Sequence, residues 1–200
     1  MQMVLEVSAF ALTLIMMGWI GTVPLAAHQV VLSLSNIVYM VVVGISAATT
    51  IMVSHRYGAG DYRGMRRAAL ASWHLGIVAN LLTMACFVAF RRFLPELFTS
   101  DRAVIGVAAQ LFLMAALYQI PDGLQTIALG VLRGMQDVRI TMYYAFVSYI
   151  VINLPVGYFC AFILGWGAPG LWVGFIVGLC IAAFLLIRRY RRLYRRLTLD

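Results

Sequence analysis

What most limits the fold of this chain is a series of six long apolar runs: 3–20, 25–53, 68–90, 103–131, 140–164 and 170–187. A helix of about 20 mostly apolar residues crosses the hydrocarbon core of a bilayer. Each run reaches or approaches that length. Each is too long for an ordinary strand, and none alternates strictly as a barrel wall does. We therefore expect an all-α integral membrane protein with six transmembrane helices. Residues 1–187 would form one membrane lobe and residues 188–200 an Arg-rich cytoplasmic tail. The first run lacks a basic flank and carries Glu6, so it reads as a span and not as a cleavable signal peptide.

Composition supports the same solvent. Of 200 residues, 64% are hydrophobic and 11% charged, and the mean hydropathy is +0.94. A soluble domain is about 25% charged, so this chain could not cover its surface in water. Water-soluble enzymes, nucleic-acid-binding domains and disordered chains are poor readings. The net charge of +8 does not point to nucleic acid either, because of where its arginines lie.

Every basic residue is Arg. Arg56, Arg63, Arg66 and Arg67 lie between the second and third runs, and Arg133 and Arg139 between the fourth and fifth. Arg188, Arg189, Arg191, Arg192, Arg195 and Arg196 follow the sixth. Only Arg91, Arg92 and Arg102 fall on the other side. This bias places both ends of the chain in the cytoplasm. The tail itself reads as a stop signal and a headgroup contact. The gaps carry turn chemistry: Gly21-Thr22-Val23-Pro24, Tyr57-Gly58-Ala59-Gly60-Asp61 and Gly165-Trp166-Gly167-Ala168-Pro169. Cys86, Cys160 and Cys180 lie in apolar runs and suit small buried hydrophobes better than a disulfide or metal site.

Two charges break the pattern. Glu6 and Asp122 are acids inside runs, where an ionised carboxylate costs roughly 2.5–3.5 kcal/mol on insertion scales. No basic residue inside a run can pair with them, so the partner is expected to be an external cation or a proton. Helix rise puts them about 22 and 28 Å from the outer ends of their runs, at comparable depth in the inner half. Tyr118 lies one turn before Asp122 on the same face. Gln119, Gln125 and Thr126 add oxygens nearby and are candidates for a substrate cavity. Pro121 denies the Leu117 carbonyl its usual donor and should kink the fourth helix, while Gly123 loosens its next turn. Carboxylates and freed carbonyls suit a hard cation such as Na⁺, and broken helices carry coupling-ion sites in secondary transporters. Pro121-Asp122-Gly123 also has the form of a surface turn. However, 124–131 is too short to span again, so a kinked continuous helix fits better.

His28, His55 and His74 lack ligand spacing and read as interfacial or packing residues. Asn36, Asn80 and Asn153 read as hydrogen bonds between helices. No phosphate-cradling motif, nucleophile–base pair or Cys/His metal cluster is present in the sequence.

Several tracts taken in order resemble the multidrug and toxic compound extrusion (MATE) transporters of the NorM-like branch. They are Leu5-Glu6-Val7-Ser8, Met17 through Gln29, Gly58-Ala59-Gly60-Asp61, Tyr118 through Gln125, Gly130-Val131-Leu132-Arg133-Gly134 and Ser148 through Tyr158. The resemblance covers essentially the whole chain and implies one lobe, the C-terminal one, of a twelve-helix transporter. Glu6 matches the acid of the family's seventh helix, Asp122 the acid of the tenth, and Tyr118 the aromatic before it. The resemblance implies Na⁺ or H⁺ coupling at these positions, with no organic cofactor and no metal beyond Na⁺ at Glu6 and Asp122. It also implies organic-cation substrates, a location in the bacterial inner membrane and a missing N-terminal six-helix lobe. The natural protein is then expected to continue upstream through about six more helices.

The leading reading is a cation-coupled multidrug efflux antiporter, in which an ion shifts an inward–outward equilibrium by differential affinity. A lipid-linked sugar flippase of the same superfamily is an alternative, though no span carries the cationic group that a pyrophosphate needs. A membrane-embedded enzyme lacks any catalytic grouping beyond the two acids. A non-transporting assembly unit remains a further alternative.

Overall fold

The computed structural model describes residues 2–199 and folds them into helices joined by short turns, with no strand among the described residues. The membrane helices are α1 Gln2–Ile20, α2 Thr22–Gly58, α3 Tyr62–Ala89, α5 Arg102–Gly134, α6 Val138–Ile163 and α7 Ala168–Leu199; α4 Phe93–Glu96 is one turn between α3 and α5. Five are long and apolar enough to cross a membrane, and α1 supplies a shorter apolar segment, Glu6–Ile20. The chain is an all-α, multi-pass membrane lobe.

The helices outrun the apolar runs. Arg56 lies in the last turn of α2, and Arg63, Arg66 and Arg67 begin α3, so only 59–61 remains as a turn. The Arg-rich tail continues α7 without a break to Leu199. Pro24 begins a helix and does not end one. It sits in the first turn of α2, where a missing N–H is not needed. Gly21 alone separates α1 from α2, at φ 152° and ψ 169°, a backbone region open essentially to glycine.

α5 is the central post. It packs on α2, α7 and α3, and most of its second half is buried. Small residues set the contacts, as is usual between membrane helices. A Cβ on Gly130 would stand 2.5 Å from Ser46 Oγ and 2.6 Å from the Ser46 carbonyl oxygen of α2. Ser46 and Thr50 hydroxyls donate to the Thr126 and Gly130 carbonyls at 2.7 and 3.0 Å. Gly123 is the position against which Asn80 of α3 packs. On α7, Gly170, Gly174 and Gly178 form a stripe against the α6 backbone.

α6 departs from a plain helix. It is π-helical over Val147–Asn153 and Phe159–Ile163, on either side of Leu154–Tyr158. Pro155 has no N–H to return to the carbonyl four residues back, and the wider turns absorb that mismatch. Much of the outer surface is apolar, with Trp19, Ile37, Ile51, Leu82, Tyr143 and Ile163 each exposed, as a lipid-facing surface requires. Cys86 and Cys180 are on that surface rather than buried; Cys160 is buried, and none of the three is paired.

Candidate functional site

Asp122 and Glu6 come together from α5 and α1. α5 runs through Pro121 as one helix, not a surface turn, and Asp122 on it is 5% exposed. Glu6 is partly buried. The two carboxylates are close enough to feel each other's charge. Asp122 lies beside Tyr118, and Glu6 lies beside Tyr149 of the π-helical part of α6.

The tyrosines are fixed by their surroundings. Tyr149 Oη accepts a hydrogen bond from Gln125 Nε2 at 2.6 Å. Tyr118 meets Trp172 and Phe175 of α7 edge to face, with ring centroids at 5.7 and 6.3 Å, and Phe10 of α1 stacks on Phe175 at 4.6 Å. Aromatic pairs of this geometry add roughly 0.5–1.5 kcal/mol beyond their burial. These contacts hold the Tyr118 ring, which also lines a cavity.

That cavity measures about 360 Å³ and is lined by Glu6, Val7, Phe10, Leu32, Ser35, Asn36, Tyr39, Met40 and Tyr118. Asp122, beside Tyr118, is not part of this lining. Gln119, Gln125 and Thr126 lie away from the lining and serve helix contacts: Thr83 Oγ1 of α3 donates to Gln119 Oε1, Gln125 binds Tyr149, and the Thr126 carbonyl accepts from Ser46. Gln125 Oε1 is buried without a hydrogen-bond partner among the described residues, so it is a spare oxygen donor near the acids. Among the described residues, no group of three His, Cys, Asp or Glu could hold a metal ion. Oxygens that a cation could use include two carboxylates, the Tyr118 and Tyr149 hydroxyls and the Gln125 amide, with Ser35, Asn36 and Tyr39 on the cavity wall beside Glu6.

Sequence reasoning missed Ser35, Asn36, Tyr39 and Tyr149. Ser35, Asn36 and Tyr39 did leave a signal, since they are polar residues within one turn inside an apolar span. Tyr149 left none, because its approach depends on the π turns. His28 is fully buried, edge-on to Trp172 at 5.7 Å, in keeping with packing. Asn153 is also buried, while Asn36 faces the cavity instead of another helix.

Six helices gather about two acids that make no salt bridge among the described residues, with Arg133 near the end of α5 acting on Glu6 through its charge; this is the architecture of a membrane-transporter lobe. Residues 1–159 match the MatE family, and the chain belongs to that family. It is 37% identical over 194 residues to the "Probable multidrug resistance protein NorM" of Xanthomonas campestris pv. campestris, covering 97% of this chain and 42% of the relative. It is 38% identical over 204 residues to the "Multidrug resistance protein MdtK" of Pectobacterium atrosepticum, covering 98% and 44%. Among solved structures, MATE in the straight conformation superposes with a TM-score of 0.92 at 16% identity, over 100% of this chain and 45% of that one. The eukaryotic MATE transporter AtDTX14 gives 0.84 at 24%, over 94% and 44%. The structural likenesses establish the fold as one half of a MATE transporter. The chain spans less than half the length of these relatives.

Proposed function

We propose that the chain is one lobe of a cation-coupled antiporter that exports organic cations, with Glu6 and Asp122 as its coupling site for Na⁺ or H⁺. The observation that carries this reading is the convergence of two acids, neither of them in a salt bridge among the described residues, beside a cavity edged by Tyr118; Arg133 near the end of α5 acts on Glu6 through its charge. The cation that balances such a site comes from outside the chain. Tyr149 and Gln125 supply further oxygens, and the aromatic and Met lining of the cavity suits varied apolar cations. The names of the relatives, multidrug resistance proteins, support drug export, and the choice of organic cations rests on the acids. A second six-helix lobe would complete the pathway, and the bacterial inner membrane is the expected location, with both ends cytoplasmic.

Protons and Na⁺ compete for the same carboxylates, so Na⁺ binding should weaken as pH falls. The test joins the lobe to a second one in liposomes and measures export of a fluorescent organic cation under Na⁺ and H⁺ gradients. Asp122→Asn and Glu6→Gln keep shape and remove charge, and each should lose gradient-driven export while expression and folding persist. If both neutral variants export like the parent under both gradients, the acids are structural and the assignment is wrong.

A further inference from the structure

The Arg-rich end of α7 forms an organised surface. Phe184, Ile187, Arg188, Arg191, Arg192, Arg195 and Arg196 line one groove on this helix. Their spacing of three and four places them on a single helical face. The sixth arginine is used differently: Arg189 Nε donates to Asp137 Oδ2 at 2.7 Å, with both side chains largely covered.

The opposite face of the helix is fastened to the lobe. Tyr190 packs edge to face on Trp73 at 5.2 Å, and the Arg66 guanidinium sits over the Tyr194 ring at 5.7 Å. Leu186 and Tyr190 are buried. These contacts fix the rotation of the helix, so its five remaining arginines point away from the protein. Among the described residues none of the five has an acidic partner. Five like charges on one face repel one another unless something anionic lies against them.

The helix also places these charges at a particular height. The apolar part of α7 from Ala168 to Ile187 is about 30 Å long, the thickness of the hydrocarbon core. Arg188 therefore emerges at the headgroup layer, Arg191 and Arg192 about 5 Å beyond it, and Arg195 and Arg196 about 11 Å beyond. Side chains on a helix lean toward its N-terminus, which here is back toward the bilayer. Their apolar stems can lie along the groove while the guanidinium groups reach the phosphates.

We propose that Arg188, Arg191, Arg192, Arg195 and Arg196 form a preorganised docking face for anionic phospholipid headgroups. The inner three arginines carry most of the selectivity. This function of the helix stands apart from the transport reading and does not depend on it.

The test places a single reporter on the face. Phe184 is exposed one turn before Arg188, so Phe184→Cys, in a background without the three native cysteines, takes a fluorophore and leaves every arginine in place. The labelled chain is reconstituted into phosphatidylcholine vesicles with nitroxide-labelled phosphatidylglycerol or phosphatidylcholine as a minor component. Phosphatidylglycerol should quench at a mole fraction lower by about fivefold or more, the effect of a single arginine at an anionic surface. About 1 M NaCl should bring the two curves together. Arg188→Gln with Arg191→Gln and Arg192→Gln should remove most of the difference, and Arg195→Gln with Arg196→Gln should remove less. Changing all five to Lys keeps the charge and should keep much of the preference, which controls for folding. Equal quenching by both lipids in the parent overturns the proposal, as does a preference unchanged by the inner triple substitution or a larger loss from the outer pair.

Discussion

Gly130 shows how a single missing methyl group can set the distance between two membrane helices. Its would-be Cβ falls on Ser46 backbone and hydroxyl atoms of α2, so Gly130→Ala must push α2 and α5 apart and disturb the Ser46–Thr126 bond. Overpacking of this kind costs about 1–3 kcal/mol. Gly44, on the exposed side of the same α2, has nothing within 4 Å of the same added atom. There Gly44→Ala should be neutral or add up to about 1 kcal/mol through backbone entropy. Unfolding of the two variants in detergent measures the contrast; equal effects would mean that close approach does not set this seam. The acids were legible at this scale because a charge in an apolar run has few explanations. The signal of Ser35, Asn36 and Tyr39 was weaker, because uncharged polar residues recur in membrane helices as packing groups. Gln119, Gln125 and Thr126 show the converse limit. Their nearness to Asp122 in sequence was plain, but only the neighbouring helices decide that the Gln119 and Gln125 side chains turn to Thr83 and Tyr149, and that the Thr126 carbonyl accepts from Ser46, instead of serving the cavity.

Among the elements, the turn from α2 to α3 has its own small electrostatic lock. Asp61 caps α3 by accepting from the Gly64 N–H at 2.8 Å, and its other oxygen meets Arg56 at 2.6 Å. The Gly64 bond first, and then Arg56, hold the carboxyl below its ordinary 3.8. A carboxyl with its folded value depressed stabilises the fold fully above 3.8 and loses that contribution as pH falls through the lower folded value. Both groups are exposed, so the effect is modest and screened by salt. Asp61→Asn retains a good cap but should abolish this acid dependence and lower the melting temperature less than Asp61→Ala does. Melting curves at neutral and acid pH check it, and an Asn variant with the parent's pH profile would refute the lock. The six helices were readable because length and apolarity suffice to mark a span. The extensions of α2, α3 and α7 were not, since beyond the hydrocarbon core a helix continues for reasons of tertiary packing. The π turns of α6 escaped for a similar cause. Pro155 marks a disturbance, but the surrounding helices decide whether it becomes a kink or a widened turn.

For the whole molecule, orientation follows from charge at one end. The 59–61 turn, the 135–137 turn and the end of α7 are gathered together: Asp137 binds Arg189, and Arg66 at the start of α3 covers Tyr194. Contacts that join separate helix ends in this way make the arginine bias a property of one surface and not of scattered loops. The opposite end holds α4 and the 164–167 turn, with only Arg91, Arg92 and Arg102 near it. Basic residues are retained on the cytoplasmic side during insertion, so the crowded end should be cytoplasmic. Ala59 and Glu96 are exposed at the two ends and take no part in the acid site, which makes them suitable reporters. With Cys86, Cys160 and Cys180 replaced by Ala, an impermeant maleimide added to intact cells should label Glu96→Cys and spare Ala59→Cys. Ala59→Cys should label only after the membrane is opened. The reverse pattern would invert the lobe. It would set Glu6 and Asp122 nearer the outer surface.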